Sequence, residues 1–118
     1  MRPELREGRF VFVALQEVPD GLDPVAWVRE DEGVTVVLRQ HEADRRGLHY
    51  DFVAAMITLR VHSSLDAVGL TAAVSGTLAD AGISCNVIAG YYHDHLFVPD
   101  EQGQTAMRLL NDLSTESS

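Results

Sequence analysis

The sequence predicts an α+β fold in which residues 53–113 run strand, helix, strand, strand, helix. Three observations carry that prediction. Val53, Ala54, Ala55, Met56, Ile57 and Leu59 form an apolar run of strand length. Ala67, Leu70, Val74, Leu78 and Ala81 recur at three- and four-residue steps, the period of one helix face. Ile83–Ala89 and His95–Val98 are short apolar stretches separated by the turn residues Gly90–Asp94, and Ala106, Leu109, Leu110 and Leu113 then mark a second helix over Gln102–Leu113. This is the order of a ferredoxin-like sandwich that lacks its last strand. No apolar segment follows Leu113, so the missing strand has to come from the N-terminal half, where Arg9–Gln16 is the best candidate. The expected organisation is therefore an incomplete unit over 1–52 and a fuller one over 53–118, woven into one globule.

The elements follow in order. Residues 1–8, with Arg2, Pro3, Arg6 and Gly8, read as an extended lead-in. Phe10–Leu15 is continuously apolar and reads as a buried strand. Pro19, Gly21 and Pro24 break the chain into turns, and residues 24–30 are expected to form one or two helical turns with Trp27 facing inward. Glu30, Asp31, Glu32 and Gly33 make a solvated turn. Val34–Arg39 is a second strand, His41–Gly47 a short helix stopped by its glycine, and Phe52–Val61 a third strand. In the main helix, Ser63 with Asp66 forms a capping box, or Asp66 caps a later start, which Gly69 favours. Gly82 followed by Ile83 is a C-terminal glycine stop with an apolar contact beyond it. Ser114–Ser118 is a frayed tail.

Composition narrows the function. The chain has 118 residues and a net charge of -9, and every basic residue is Arg. With no arginine cluster larger than Arg45–Arg46, this average field repels a phosphate backbone, so nucleic acid is not an expected partner. Zwitterionic or cationic ligands suit it better. Without lysine there is no Schiff-base chemistry, and a single cysteine, Cys85, makes no intrachain disulfide. The apolar runs are shorter than the ~20 residues of a membrane span, and the N-terminus lacks the apolar core of a signal peptide. A cytoplasmic protein with no membrane partner is expected.

The stretch Gly69-Leu70-Thr71-Ala72-Ala73-Val74 through Leu78-Ala79-Asp80-Ala81-Gly82-Ile83-Ser84 resembles the first helix of an ACT domain and its exit into the second strand. Ala106–Leu113 is similar to the second ACT helix. The likeness is greatest to the paired ACT units in the regulatory region of aspartokinases. The strings Val61-His62-Ser63-Ser64-Leu65, Asn86-Val87-Ile88-Ala89-Gly90 and Tyr91-Tyr92-His93-Asp94-His95 resemble a small group of uncharacterised bacterial stand-alone ACT-like proteins. The resemblance implies tandem ACT-like units, the N-terminal one incomplete, and a homodimer. It also implies an effector site between the loop after the first strand of one unit and the second strand of its neighbour. On this chain the loop supplies Ser63, Ser64, Asp66, Val68, Gly69 and Leu70, and the strand supplies Asn86, Val87 and Ile88. Gly69 lets backbone amides approach a carboxylate, Asp66 holds an ammonium, and Asn86 donates and accepts.

Other chemistry-bearing residues offer competing roles. His93 and His95 with Cys85 form a soft-donor set for zinc or nickel, the alternative of a metal-responsive sensor. His93 falls in the turn, however, where it need not share a face with His95, and hydrogen bonding by the ring nitrogens is the plainer role. Cys85 reads as a small buried hydrophobe, and Tyr91–Tyr92 as packing or interface residues. No nucleophile–base pair, phosphate loop or calcium loop is visible. The expected function is a non-catalytic, small-molecule regulatory protein that needs no cofactor or metal and binds an effector, plausibly an amino acid. A purely structural or protein-interaction module is the other alternative.

Overall fold

The computed structural model describes residues 1–60 and 64–117, with the backbone alone at 64–68 and 115–117. Among the described residues, seven strands and three helices appear in the order β1 (Arg2–Leu5), β2 (Phe10–Leu15), β3 (Ala26–Glu30), β4 (Gly33–Arg39), α1 (Gln40–Arg45), β5 (Val53–Arg60), α2 (Ser64–Asp80), β6 (Asn86–Ala89), β7 (Asp94–Pro99) and α3 (Gly103–Ser117). A single 3-10 turn, Asp100–Gln102, leads into α3. The chain forms two compact units, Met1–Glu7 with Ala55–Ser118, and Gly8–Ala54. They are called here the C-terminal and N-terminal units. Among the described residues no helix is long and apolar enough to cross a membrane.

The C-terminal unit is the ferredoxin-like sandwich. Its strands lie in the order β1-β5-β7-β6. Ala55, Ile57 and Leu59 of β5 and Leu96 and Val98 of β7 alternate onto one face. There they meet Val74 and Leu78 of α2 and Ala106 and Leu110 of α3, all buried. The end of α2 is a Schellman turn. The Gly82 amide donates to the Ala79 carbonyl at 2.9 Å and the Ile83 amide to the Leu78 carbonyl at 2.9 Å, with Gly82 at φ +74°. That turn carries Ile83 into the core, so β6 starts at Asn86 and not at Ile83 as expected.

The missing strand does come from the N-terminal half, but it is Arg2–Leu5 and not Arg9–Gln16. β1 runs antiparallel to β5 with Arg2 opposite Arg60, Pro3 opposite Leu59, Glu4 opposite Thr58 and Leu5 opposite Ile57. Pro3 is buried and Leu5 packs on the core, while Arg2 and Glu4 face the other way. Four residues with a proline hide this alternation, which an edge strand tolerates because the proline nitrogen needs no ladder partner there. Arg9–Gln16 instead supplies β2, which pairs all six residues with β4 and reaches β5 only at Ala54 and Val53.

In the N-terminal unit the order is β3-β4-β2, followed by the first residues of β5. Val11, Val13, Val34, Val36, Leu38 and Ala43 form its core, Ala43 being the contribution of α1. Residues expected to be helical are strand β3, and Trp27 is half exposed rather than inward. A helix this short forms only when packing holds it, as the core holds α1 through Ala43, whereas residues 26–30 pair with β4 as a strand. The tight Asp31–Glu32 turn also returns the chain directly, so that Glu30 pairs with Gly33 and Trp27 with Val36. At the other terminus α3 continues to Ser117, where a frayed tail was expected from Ser114. The Ser114 hydroxyl donates to the Met1 carbonyl at 2.5 Å.

Candidate functional site

The connection after β5 is where the sequence placed most effector contacts. Ser63 lies outside the described residues, as do the side chains of Ser64, Asp66 and Val68. α2 already begins at Ser64, so Gly69 is the sixth residue of a helix and not part of a loop. Its amide belongs to the helical ladder, and a Cβ built at Gly69 meets nothing within 4 Å. Leu70 packs against the core. On the outer strand β6, Asn86 and Val87 are exposed and Ile88 is half-buried, opposite Phe97, Leu96 and His95 of β7. Among the described residues no hydrogen bond joins this strand to α2. The two sets sit on separate elements of one unit.

The N-terminal unit holds a feature that the sequence reading missed. At the end of its first long strand, β2, lies a cavity of about 310 Å³ lined by Ala14, Leu15, Gln16, Glu30, Glu32, Gly33, Val34 and Thr35. The β3–β4 hairpin brings both carboxylates to it. The Thr35 hydroxyl donates to the Glu30 carboxylate, and Gly33 adopts φ +151° with no room for a side chain, since a Cβ would lie 2.6 Å from the Leu15 carbonyl oxygen. From sequence, Glu30–Gly33 is indistinguishable from a solvated turn. Only the pairing of β3 with β4 and β4 with β2 turns its acidic side chains into the wall of a cavity.

A third cluster crosses the C-terminal unit on the sheet face away from the helices. The Arg60 Nε donates to Glu4 at 3.0 Å, and Arg60 Nη1 lies 3.1 Å from His93 Nε2. Thr58 Oγ1 lies 3.0 Å from His95 Nδ1. The hydrogen bond from Arg60, together with its charge, holds the Glu4 carboxyl below its usual range. Burial, and then the charges of His93, Arg6 and Arg60, hold His95 below the ordinary imidazole value, against a smaller opposing effect of Asp94. His93 and His95 do share a face, because both reach β5 residues two apart. Cys85 instead packs against the helix-side core, where burial raises its thiol pKa. Among the described residues no group of three His, Cys, Asp or Glu is placed to hold a metal. Tyr91 and Tyr92 are exposed at the hairpin tip, their rings edge to face at 5.2 Å.

The fold is shared by solved structures. A Vibrio cholerae protein of unknown function, described as a possible transport protein, is 47% identical. The match covers 93% of this chain and 87% of that one, with a TM-score of 0.86. An Agrobacterium tumefaciens protein is 21% identical over 93% of this chain and 86% of that one, with a TM-score of 0.76. The aspartokinase alpha and beta subunits share the fold at 10% identity, with 95% and 96% coverage and a TM-score of 0.67. No curated protein matches. One ACT-domain family model matches residues 1–55 and a second matches 52–112, just over half the chain by itself. With both units accounted for in this way, the chain belongs to the ACT-domain family.

Proposed function

We propose that this protein is a non-catalytic regulator that binds a small zwitterionic effector, an amino acid, and responds by changing how two copies pack. ACT domains are commonly regulatory small-molecule-binding modules, rather than catalytic ones, and often dimerise. The observation that carries the proposal is the cavity beside β2. It follows the first strand of an ACT unit, and about 310 Å³ lies at the small end of the range for ligand pockets. Glu30 and Glu32 suit an ammonium group, Gln16 and Thr35 offer further polar contacts, and Ala14, Leu15 and Val34 offer an apolar wall. The C-terminal unit supplies a second effector position. Ser63, Ser64, Asp66, Val68, Gly69 and Leu70 of one copy would face Asn86, Val87 and Ile88 of another in a cytoplasmic homodimer. An effector that binds one packing better shifts the population toward it.

A thermal-denaturation screen of the twenty amino acids tests this. A true effector at 100 times its Kd adds about 2.7 kcal/mol to stability, and Glu32→Gln should abolish that gain. If none of the twenty raises the melting temperature, the effector reading fails and an interaction module is the better description.

A further inference from the structure

We propose that β3, the outer strand of the N-terminal unit, is a homodimer interface, on which a second copy of this chain pairs antiparallel about a two-fold axis through Val28. The interface does not rest on the amino-acid effector reading. Three properties make the strand complementary to itself: its exposure, the direction of its backbone groups and the order of its side chains.

β3 ends the strand order β3-β4-β2, and among the described residues no strand covers its outer side. Trp27 and Val28 expose 50% and 54% of their surface, and Val25 before them 38%. Strand edges are commonly guarded against a second chain by proline or by charge. β1 carries Pro3 with Arg2 and Glu4. β3 has no proline, and its two charged residues are turned onto their own unit. Arg29 stands over the Trp27 ring at 5.8 Å, and Glu30 accepts from the Thr35 hydroxyl.

The backbone decides which residues can pair. Asp31 and Glu32 form a two-residue turn, so Glu30 and Gly33 at its base exchange both hydrogen bonds. Bonded and non-bonded pairs alternate along an antiparallel ladder. Val28, opposite Thr35, and Ala26, opposite Val37, therefore also turn their amides and carbonyls to β4. Those of Trp27 and Arg29 point outward from the sheet.

A two-fold axis through Val28 sets Trp27 opposite Arg29 of the second copy, and Arg29 opposite its Trp27. Both members of each pair have outward backbone groups, so each pair exchanges both hydrogen bonds. Each indole then has two guanidinium neighbours, its own along the strand and the second copy's across it. Val28 meets Val28 on the other face, and Glu30 meets Ala26 and not a like charge. Other registers lose this. An axis through Arg29 opposes two guanidinium groups, and one through Trp27 breaks both indole–guanidinium pairs. An axis between residues opposes an outward backbone to an inward one and forms no ladder.

The test uses the full chain with no added ligand. Light scattering across a dilution series should give twice the chain mass at high concentration and the single mass at low. Val28→Glu, which sets two carboxylates together on the axis, should raise the dimer dissociation constant at least tenfold and Arg29→Gln at least threefold. Val87→Glu on β6 should change it less than twofold. Cross-linking reads the register and keeps the test decisive if Val28→Glu folds poorly. In a Cys85→Ala background, Val28→Cys should form a disulfide-linked dimer under mild oxidation, because paired residues on the axis lie within bridging distance. A mixture of Ala26→Cys and Glu30→Cys chains should link, while neither variant links with itself. A monomer at every concentration overturns the proposal, as does a dimer that Val87→Glu dissociates and Val28→Glu does not. Linkage of Val28→Cys no faster than that of Val87→Cys likewise overturns it.

Discussion

Gly33 and Gly69 are the same residue type under opposite constraints. At Gly33 the backbone sits at φ +151° and a Cβ would meet the Leu15 carbonyl oxygen at 2.6 Å. Gly33→Ala should therefore cost about 1–3 kcal/mol of backbone strain, read from urea denaturation, and distort the cavity with it. At Gly69 the helix is regular and the space open, so Gly69→Ala should add about 0.5–1 kcal/mol and leave affinity at the cavity beside β2 unchanged. A drop in affinity would mean that the effector is held at the second position, beside Gly69. His95 sets a pH dependence. Its folded pKa lies below the ordinary 6.5, chiefly through burial. The folded state then binds fewer protons than the unfolded chain between that lowered value and 6.5, and stability rises with pH across this window. The stabilisation is complete above 6.5 and is lost as the pH falls through the folded value. His93, Arg6 and Arg60 push in the same direction, and Asp94 opposes them. We expect the urea midpoint of the native protein to fall more between pH 7.5 and pH 5.5 than that of His95→Gln. Equal falls would mean that His95 does not titrate differently on folding.

At the level of elements, β1 is the piece on which the C-terminal unit depends. It closes the edge of β5 beside Ile57 and Leu59, and its Leu5 touches the main core. Deleting residues 1–7 should expose that edge and lower the urea midpoint sharply, with faster amide exchange at Ile57 and Leu59. If exchange there is unchanged, β1 is not a structural strand of the unit. This element was also the least legible in the sequence. β5, α2 and α3 announce themselves because each has enough residues for its period to repeat: of the faces their spacing predicts, Val74, Leu78, Ala106 and Leu110 are buried and Leu70, Leu109 and Leu113 half-buried, while Ala81, past the end of α2, is exposed. β1 has one alternation and a proline, and β3 has an exposed Trp27 where inward burial was the natural expectation. Both are edge strands, whose composition is set less by burial than by solvent. The candidate site divides in the same way. Asn86–Ile88 are where the apolar pattern put them. The acidic cavity depends on three strands meeting, and pairing between distant segments leaves no local periodicity to read.

For the molecule as a whole, the proposed population shift would have to be felt at a distance from the ligand, and the chain carries a reporter for it. Trp27 is its single tryptophan, lies half exposed on the outer strand of the N-terminal unit, and is three residues from Glu30 on that strand. Its guanidinium neighbour Arg29 stands over the ring at 5.8 Å, so its emission responds to any change in the β3 edge. Val28 beside it is equally exposed, and unpaired strand edges with apolar side chains recruit partners. If two copies pair along this edge, diluting the protein should red-shift Trp27 emission as the indole is released to water, and effector should move the midpoint of that transition. If effector binds in the cavity without changing the assembly, emission changes at saturating effector are the same at every protein concentration. Light scattering on the same samples separates these outcomes. A constant particle mass together with a concentration-independent emission response would leave effector binding intact and remove the repacking of two copies as its consequence.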